Sequence, residues 1–211
     1  MGAGGVEIDV NESRDGSLFV VHDAAYETLD RWISDLSEDA LPQVDGINWQ
    51  RRGLGDAIGA ALTDEMVVYL DLKSISRSGV EGILQDWKAP IRAGRVILAS
   101  SRGEVLSFVA AVEPEAETSF LYYDPQLDLK SLASFVSPTY VHPCFDYLRD
   151  PFKSVDEHYV DRARALGFGL VSWSENDLSR AKRLVELGFD FVCTDDLATT
   201  ADALAPSELK A

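Results

Sequence analysis

Lysine is scarce in this chain. Of 211 residues only six are lysine: Lys73, Lys88, Lys130, Lys153, Lys182 and Lys210. Nineteen basic residues face 36 acidic ones, for a formal net charge of −17. That balance argues against any general affinity for nucleic acid or for anionic membranes. An acidic surface spread along the chain fits either a protein kept soluble in high salt or an ordinary acidic cytoplasmic protein. Cysteine is also rare. Cys144 and Cys193 are too few for a disulfide framework and lack zinc-site spacing, so buried reduced thiols are expected. No apolar run approaches the ~18 residues of a membrane-spanning helix. The N-terminal MGAGGVEID carries no basic segment or long apolar segment of a signal peptide, and Val6 breaks a myristoylation pattern. G-x-S-x-G, Walker A and H-E-x-x-H motifs are all missing. The GAGG at Gly2–Gly5 precedes a strand rather than following one, which excludes a dinucleotide fingerprint.

Apolar residues make up 46% of the chain, enough for a sizeable core. With no repeats, low-complexity tracts or Pro/Gly-rich linkers, residues 1–211 read as one domain. Short apolar runs recur: Val6–Val10, Met66–Leu72, Arg95–Ser101, Thr118–Tyr123, Thr139–Pro143, Gly169–Trp173 and Phe191–Asp195. Nearly continuous apolar strands are those covered on both faces, as in parallel sheets. Helical spacing fills the intervals, with Gly167 and Gly188 placed as helix C-caps and SENDLSRAK opening on cap-forming residues. This alternation predicts an α/β fold with a parallel sheet, one strand short of a closed (β/α) barrel of eight. The missing unit would precede Gly2, and the two open edges of such a barrel predict poor stability or self-association.

Polar residues gather at the predicted C-terminal strand ends, where a barrel's active site lies. Glu7 and Asp9 are two apart and share a strand face, opposite Val6, Ile8 and Val10. In an antiparallel sheet that face is simply solvated. Inside a parallel barrel, two buried carboxylates call for a cation. Asp71, in VVYLDLK, would bring a third, and three hard oxygen ligands suit Mg²⁺ or Ca²⁺. Lys73 is either an ion-pair partner of these acids or a point charge for phosphate. SRDGSLFVVHD reads as a hairpin turning at Asp15-Gly16, with a return arm that brings His22 back toward Glu7 and Asp9. There His22 could act as general acid or base; on the surface it would only hydrogen-bond. His142 ends the YVHP strand and either faces the mouth or is satisfied by backbone. Trp173 is either core or an apolar wall for substrate. His158 lies in a charged helix and is expected in solvent.

GAGGVEIDVNESRDGSLFVVHD, YLDLK and GLVSWSENDLSRAKRLVELGFDFVCTDD, in this order and spacing, resemble the signature segments of the glycerophosphodiester phosphodiesterases. The resemblance runs from Gly2 to about Leu204. It implies a TIM barrel that hydrolyses glycerophosphodiesters to glycerol phosphate and an alcohol with a divalent cation. It implies Glu7, Asp9 and Asp71 as metal ligands and His22 as the acid/base. Lys73, His142 and Trp173 become substrate-binding candidates, Lys73 on phosphate and Trp173 on the glycerol side. Asp71 stands where the family more often has Glu, and Ala24–Leu54 departs from the family pattern. The family's opening strand, with a His-Arg-Gly motif, finds no counterpart in this sequence. The alternative is therefore a catalytically inactive barrel that binds a phosphorylated metabolite or a protein partner. A sphingomyelinase D-like headgroup phosphodiesterase shares the same acidic and histidine set.

Overall fold

The computed structural model describes residues 3–26, 31–43, 53–63, 66–124, 126–145, 149–198 and 200. Parts of the divergent Ala24–Leu54 stretch and of the C-terminal end of the family resemblance lie outside them. The chain divides into two compact units, Gly5–Thr118 and Ser119–Ala211 taken with Met1–Gly4.

In the first unit β1 (Gly5–Glu12) is followed by the short arm β2 (Leu18–Val20), the two-residue strands β3 (Ala25–Tyr26) and β4 (Arg31–Trp32), and α1 (Leu54–Thr63). Then come β5 (Val67–Leu72), α2 (Arg77–Asp86), α3 (Lys88–Arg92), β6 (Val96–Ser100) and α4 (Gly103–Val112). β1 runs parallel to β5 and β5 parallel to β6, while β2 returns antiparallel along Val10–Glu12. The turn works because Gly16 takes φ +88°, a left-handed conformation that glycine adopts without strain. Sequence periodicity ended β1 at Val10. The strand continues through Asn11 and Glu12 because β2 supplies partners for both. Ile8, Val10, Val68, Leu70, Leu72, Val96 and Leu98 form one layer of the core and pack against Ile58, Val80, Ile83 and Val105 of the helices. The opposite faces of β1 and β5 carry the polar residues.

In the second unit β7 (Thr118–Tyr122), α5 (Leu129–Phe135), β8 (Tyr140–Pro143), α6 (Glu157–Ala165), β9 (Gly169–Ser172), α7 (Leu178–Glu186) and β10 (Phe191–Val192) alternate. β7, β8, β9 and β10 pair in that order, all parallel. Asp156 and Asp177 cap α6 and α7 by accepting from the Tyr159 and Arg180 amides. Gly167 and Gly188 close those helices at φ +84° and +88°. Every sequence-derived barrel strand is present, each within a few residues of its predicted ends. The strand expected over Phe191–Asp195 is the shortest, with only Phe191 and Val192 in the ladder. Cys144 is buried and Cys193 only partly so; neither is in a disulfide. Among the described residues, no helix is long and apolar enough to cross a membrane.

Candidate active site

The parallel register of β1 on β5 sets Asp9 directly beside Asp71 and Glu7 beside Tyr69. With Val6, Ile8 and Val10 in or against the helix-facing core, Glu7 and Asp9 are forced to the other face. One carboxylate oxygen from each of Glu7, Asp9 and Asp71 lies within 4.8 Å of the others. Lys73, two residues past Asp71, turns its ammonium into this group. Nζ is 3.1 Å from Asp9 Oδ1 and donates a short hydrogen bond to Asp71 Oδ2.

Three carboxyl groups gathered around one ammonium leave the cluster short of cations. Burial, then the Asp9 and Asp71 charges, push the Glu7 carboxyl up from 4.5 to about 8, although Lys73 pulls the other way. Burial likewise raises Asp71, in spite of Lys73. Burial opposes the charge on Lys73, but Asp71 and Asp9 outweigh it and hold the ammonium above its ordinary range. A divalent cation fits this donor set: all three ligands are hard oxygens, and added positive charge would relieve the repulsion among them.

His22 follows β2, and its Nδ1 is 2.8 Å from Asp23 Oδ1. Such a contact fixes Nδ1–H toward the carboxylate and makes Nε2 the nitrogen that can exchange a proton. The ring is largely exposed, yet it lies close enough to Asp71 to influence that carboxylate electrostatically. The return arm is also held by backbone, since the Val21 amide donates to Asp9 O at 3.1 Å.

Two residues escaped the sequence reading. Asn11 is fully buried and continues the Glu7–Asp9 face, so the same period of two could have found it. Arg102, just after β6, donates from Nη1 to Lys73 O and Ile75 O at 3.4 and 3.3 Å, tying down the loop that carries Lys73. Only packing reveals that contact.

The other two candidates meet each other in the second unit. His142 on β8 is buried, and Trp173, just past β9, is partly exposed; their rings pack edge-on with centroids 6.0 Å apart. Tyr123, after β7, lies edge-on to Trp173 at 5.6 Å and stands 60% exposed. Three neighbouring strand ends thus supply one aromatic wall. His158 is exposed on α6, as expected.

Residues 1–199 match the glycerophosphoryl diester phosphodiesterase family. A glycerophosphodiester phosphodiesterase of Caldanaerobacter subterraneus subsp. tengcongensis is 24% identical over 216 residues, covering 94% of this chain and 85% of the relative. Among solved structures, an Oleispira antarctica phosphodiesterase in complex with the product sn-glycerol-3-phosphate aligns with a TM-score of 0.78. The alignment is 21% identical and covers 97% of this chain and 86% of that one. The glycerophosphodiester phosphodiesterase of Thermotoga maritima aligns at 0.71, with 20% identity over 95% of this chain and 85% of its own. These likenesses give the TIM-barrel type of α/β fold expected from the strand pattern. With its whole described length inside the family match but for Thr200, the chain belongs to the glycerophosphoryl diester phosphodiesterase family of phosphoric diester hydrolases.

Proposed function

We propose that this chain hydrolyses glycerophosphodiesters to glycerol phosphate and an alcohol, with Glu7, Asp9 and Asp71 holding Mg²⁺ or Ca²⁺. The observation that carries this reading is the convergence of three carboxylates within 4.8 Å, with Lys73 between two of them. A bound cation would neutralise the phosphodiester and polarise its phosphorus. Lys73 supplies a fixed positive charge for a phosphate oxygen, its ammonium already aimed by two aspartates. His22, oriented by Asp23, holds a proton on Nε2 and delivers it to the leaving alkoxide as the phosphorus–oxygen bond breaks. Water contributes the oxygen that replaces it on phosphorus, and the proton that the water gives up returns to His22 Nε2. Trp173, with Tyr123 and His142 beside it, offers an apolar surface to the glycerol portion.

The family match runs through both compact units, which supports reading residues 1–211 as one domain. Cys144 and Cys193, neither in a disulfide, suit a reducing cytoplasm, where the reaction would serve lipid headgroup metabolism. Among the described residues β2 pairs with Val10–Glu12 of β1, and we take the edge at Gly5–Ile8 as a surface for self-association.

The deciding assay is glycerol phosphate release from glycerophosphocholine with Mg²⁺ or Ca²⁺ and with EDTA. Release is expected only with the cation, and His22→Ala should lower kcat by about 10²–10⁴-fold. Equal release in EDTA would remove the cation from the reading, and an unchanged rate in His22→Ala would remove the acid/base role. Phosphate-ester binding without turnover would favour the inactive-barrel alternative.

A further inference from the structure

We infer that Asn11 is a positioning residue that fixes the His22 arm against the Lys73 loop, an assignment that rests on the phosphodiesterase reading above. Asn11 is 0% exposed. A buried amide must find partners for both its ends or destabilise the fold. Here the two ends reach two different segments. Nδ2 donates to Val21 O at 2.7 Å, with a longer contact to His22 O at 3.5 Å. Oδ1 accepts from the Ser74 amide at 3.2 Å. Val21 immediately precedes His22, and Ser74 immediately follows Lys73. One rigid planar group therefore spans the segments that carry the proposed acid/base and the proposed phosphate contact.

The location explains why a side chain is used. The β1–β2 ladder ends at Val10↔Val20, so the arm beyond Val20 has left the sheet before it delivers His22. Backbone bonds from Val21 N to Asp9 O and from Lys73 N to Val10 O tie each segment to β1. The Asn11 amide joins the segments to each other through a single group. His22 itself is largely exposed, so its placement depends on the backbone that carries it. Few residues could replace Asn11. Aspartate keeps the acceptor for Ser74 and, when ionised, loses the donor for Val21. Leucine has similar volume and loses both. Glutamine offers both ends but is one methylene too long for a closely packed site.

The test uses the whole chain and its three histidines, His22, His142 and His158, whose imidazole resonances report separately. In Asn11→Leu and Asn11→Asp the His22 signals should move while those of His142 and His158 hold their positions. The Ser74 amide should lose exchange protection in Asn11→Leu and keep it in Asn11→Asp. With glycerophosphocholine and Mg²⁺, kcat should fall about tenfold to a hundredfold, with KM within about twofold. Unmoved His22 signals in the folded variants would overturn the inference, as would equal movement of all three histidines. If neither variant folds, the wild-type protein decides. The Asn11 side-chain amide protons should exchange more slowly than those of exposed Asn176, and equal exchange would overturn the inference. Absence of turnover by the wild-type chain would count against the phosphodiesterase reading alone, because the histidine and amide measurements need no substrate.

Discussion

Glu7 holds a proton that a surface glutamate would have lost. Its folded value of about 8 lies above the ordinary 4.5, so between these values the folded chain binds more protons than the unfolded one. The contribution of Glu7 to stability without metal must then fall as the pH rises from about 4.5 to 8. A divalent cation removes the cause, since it favours the ionised carboxylate. The midpoint of thermal unfolding should therefore rise on adding Mg²⁺ or Ca²⁺, and by more at pH 8 than at pH 5. Equal rises at both would mean that the cation binds elsewhere. Lys73 belongs to the same balance. Its removal in Lys73→Met leaves Asp9 and Asp71 facing each other without a counter-charge, at a cost of about 3 kcal/mol in metal-free protein, measured by urea unfolding at pH 8. Added Mg²⁺ should restore part of that loss. The identities and common face of Glu7, Asp9, Asp71 and Lys73 were legible from a spacing of two. The buried role of Asn11 was not, because its partners at Val21 and Ser74 are 10 and 63 residues away.

At the scale of elements, α2 shows how one helix start is built around a strand residue. Ser76 caps α2 by accepting from the Gly79 amide at 3.1 Å. Glu12, at the end of β1, is buried and accepts from both the Ser76 amide and the Ser76 hydroxyl. Its negative charge also sits at the positive end of the helix. Gly79 leaves the room: a Cβ there would lie 2.8 Å from both Glu12 Oε2 and Ile75 Cγ1. In most exposed helices Gly→Ala stabilises by about 1 kcal/mol. Gly79→Ala should instead destabilise by about 1–3 kcal/mol, read by denaturant unfolding, because the added methyl must displace packed neighbours. Ser76→Ala should cost about 1 kcal/mol. The apolar spacing of this helix begins only with Val80. Its true start at Arg77 depends on Glu12, 64 residues before Ser76, which no local pattern exposes.

For the whole molecule, the telling quantity is charge. At −17 the chain repels itself at long range, which opposes association. The edge proposed at Gly5–Ile8 would act in the other direction at short range. Light scattering across ionic strength separates the two. Salt screens the repulsion, with a Debye length near 10 Å at 0.1 M. The proposed edge association should therefore strengthen with salt, and a monomer at every salt concentration would remove it. A Lys substitution at Ile8 would not test this edge, because Ile8 belongs to the core. Gly5 is no better, since a Cβ there would meet Val67 O at 2.7 Å.

The sequence by itself determined the class of the fold and the makings of the site. Short apolar runs alternating with capped helices specify parallel strands, because only strands covered on both faces lose their polar alternation. Polar residues two apart at the ends of those strands specify a charged mouth, because side chains in a strand alternate with a period fixed by covalent geometry. Only the tertiary structure decided what those residues do to one another. The Asp9↔Asp71 register, the Lys73 ammonium between two aspartates, the proton held on Glu7 and the Asn11 amide spanning two segments all depend on approaches of a few ångströms between distant parts of the chain. Electrostatic and hydrogen-bond energies change steeply over such distances. Sequence spacing limits which face a residue occupies, and packing sets the separation on which its chemistry depends.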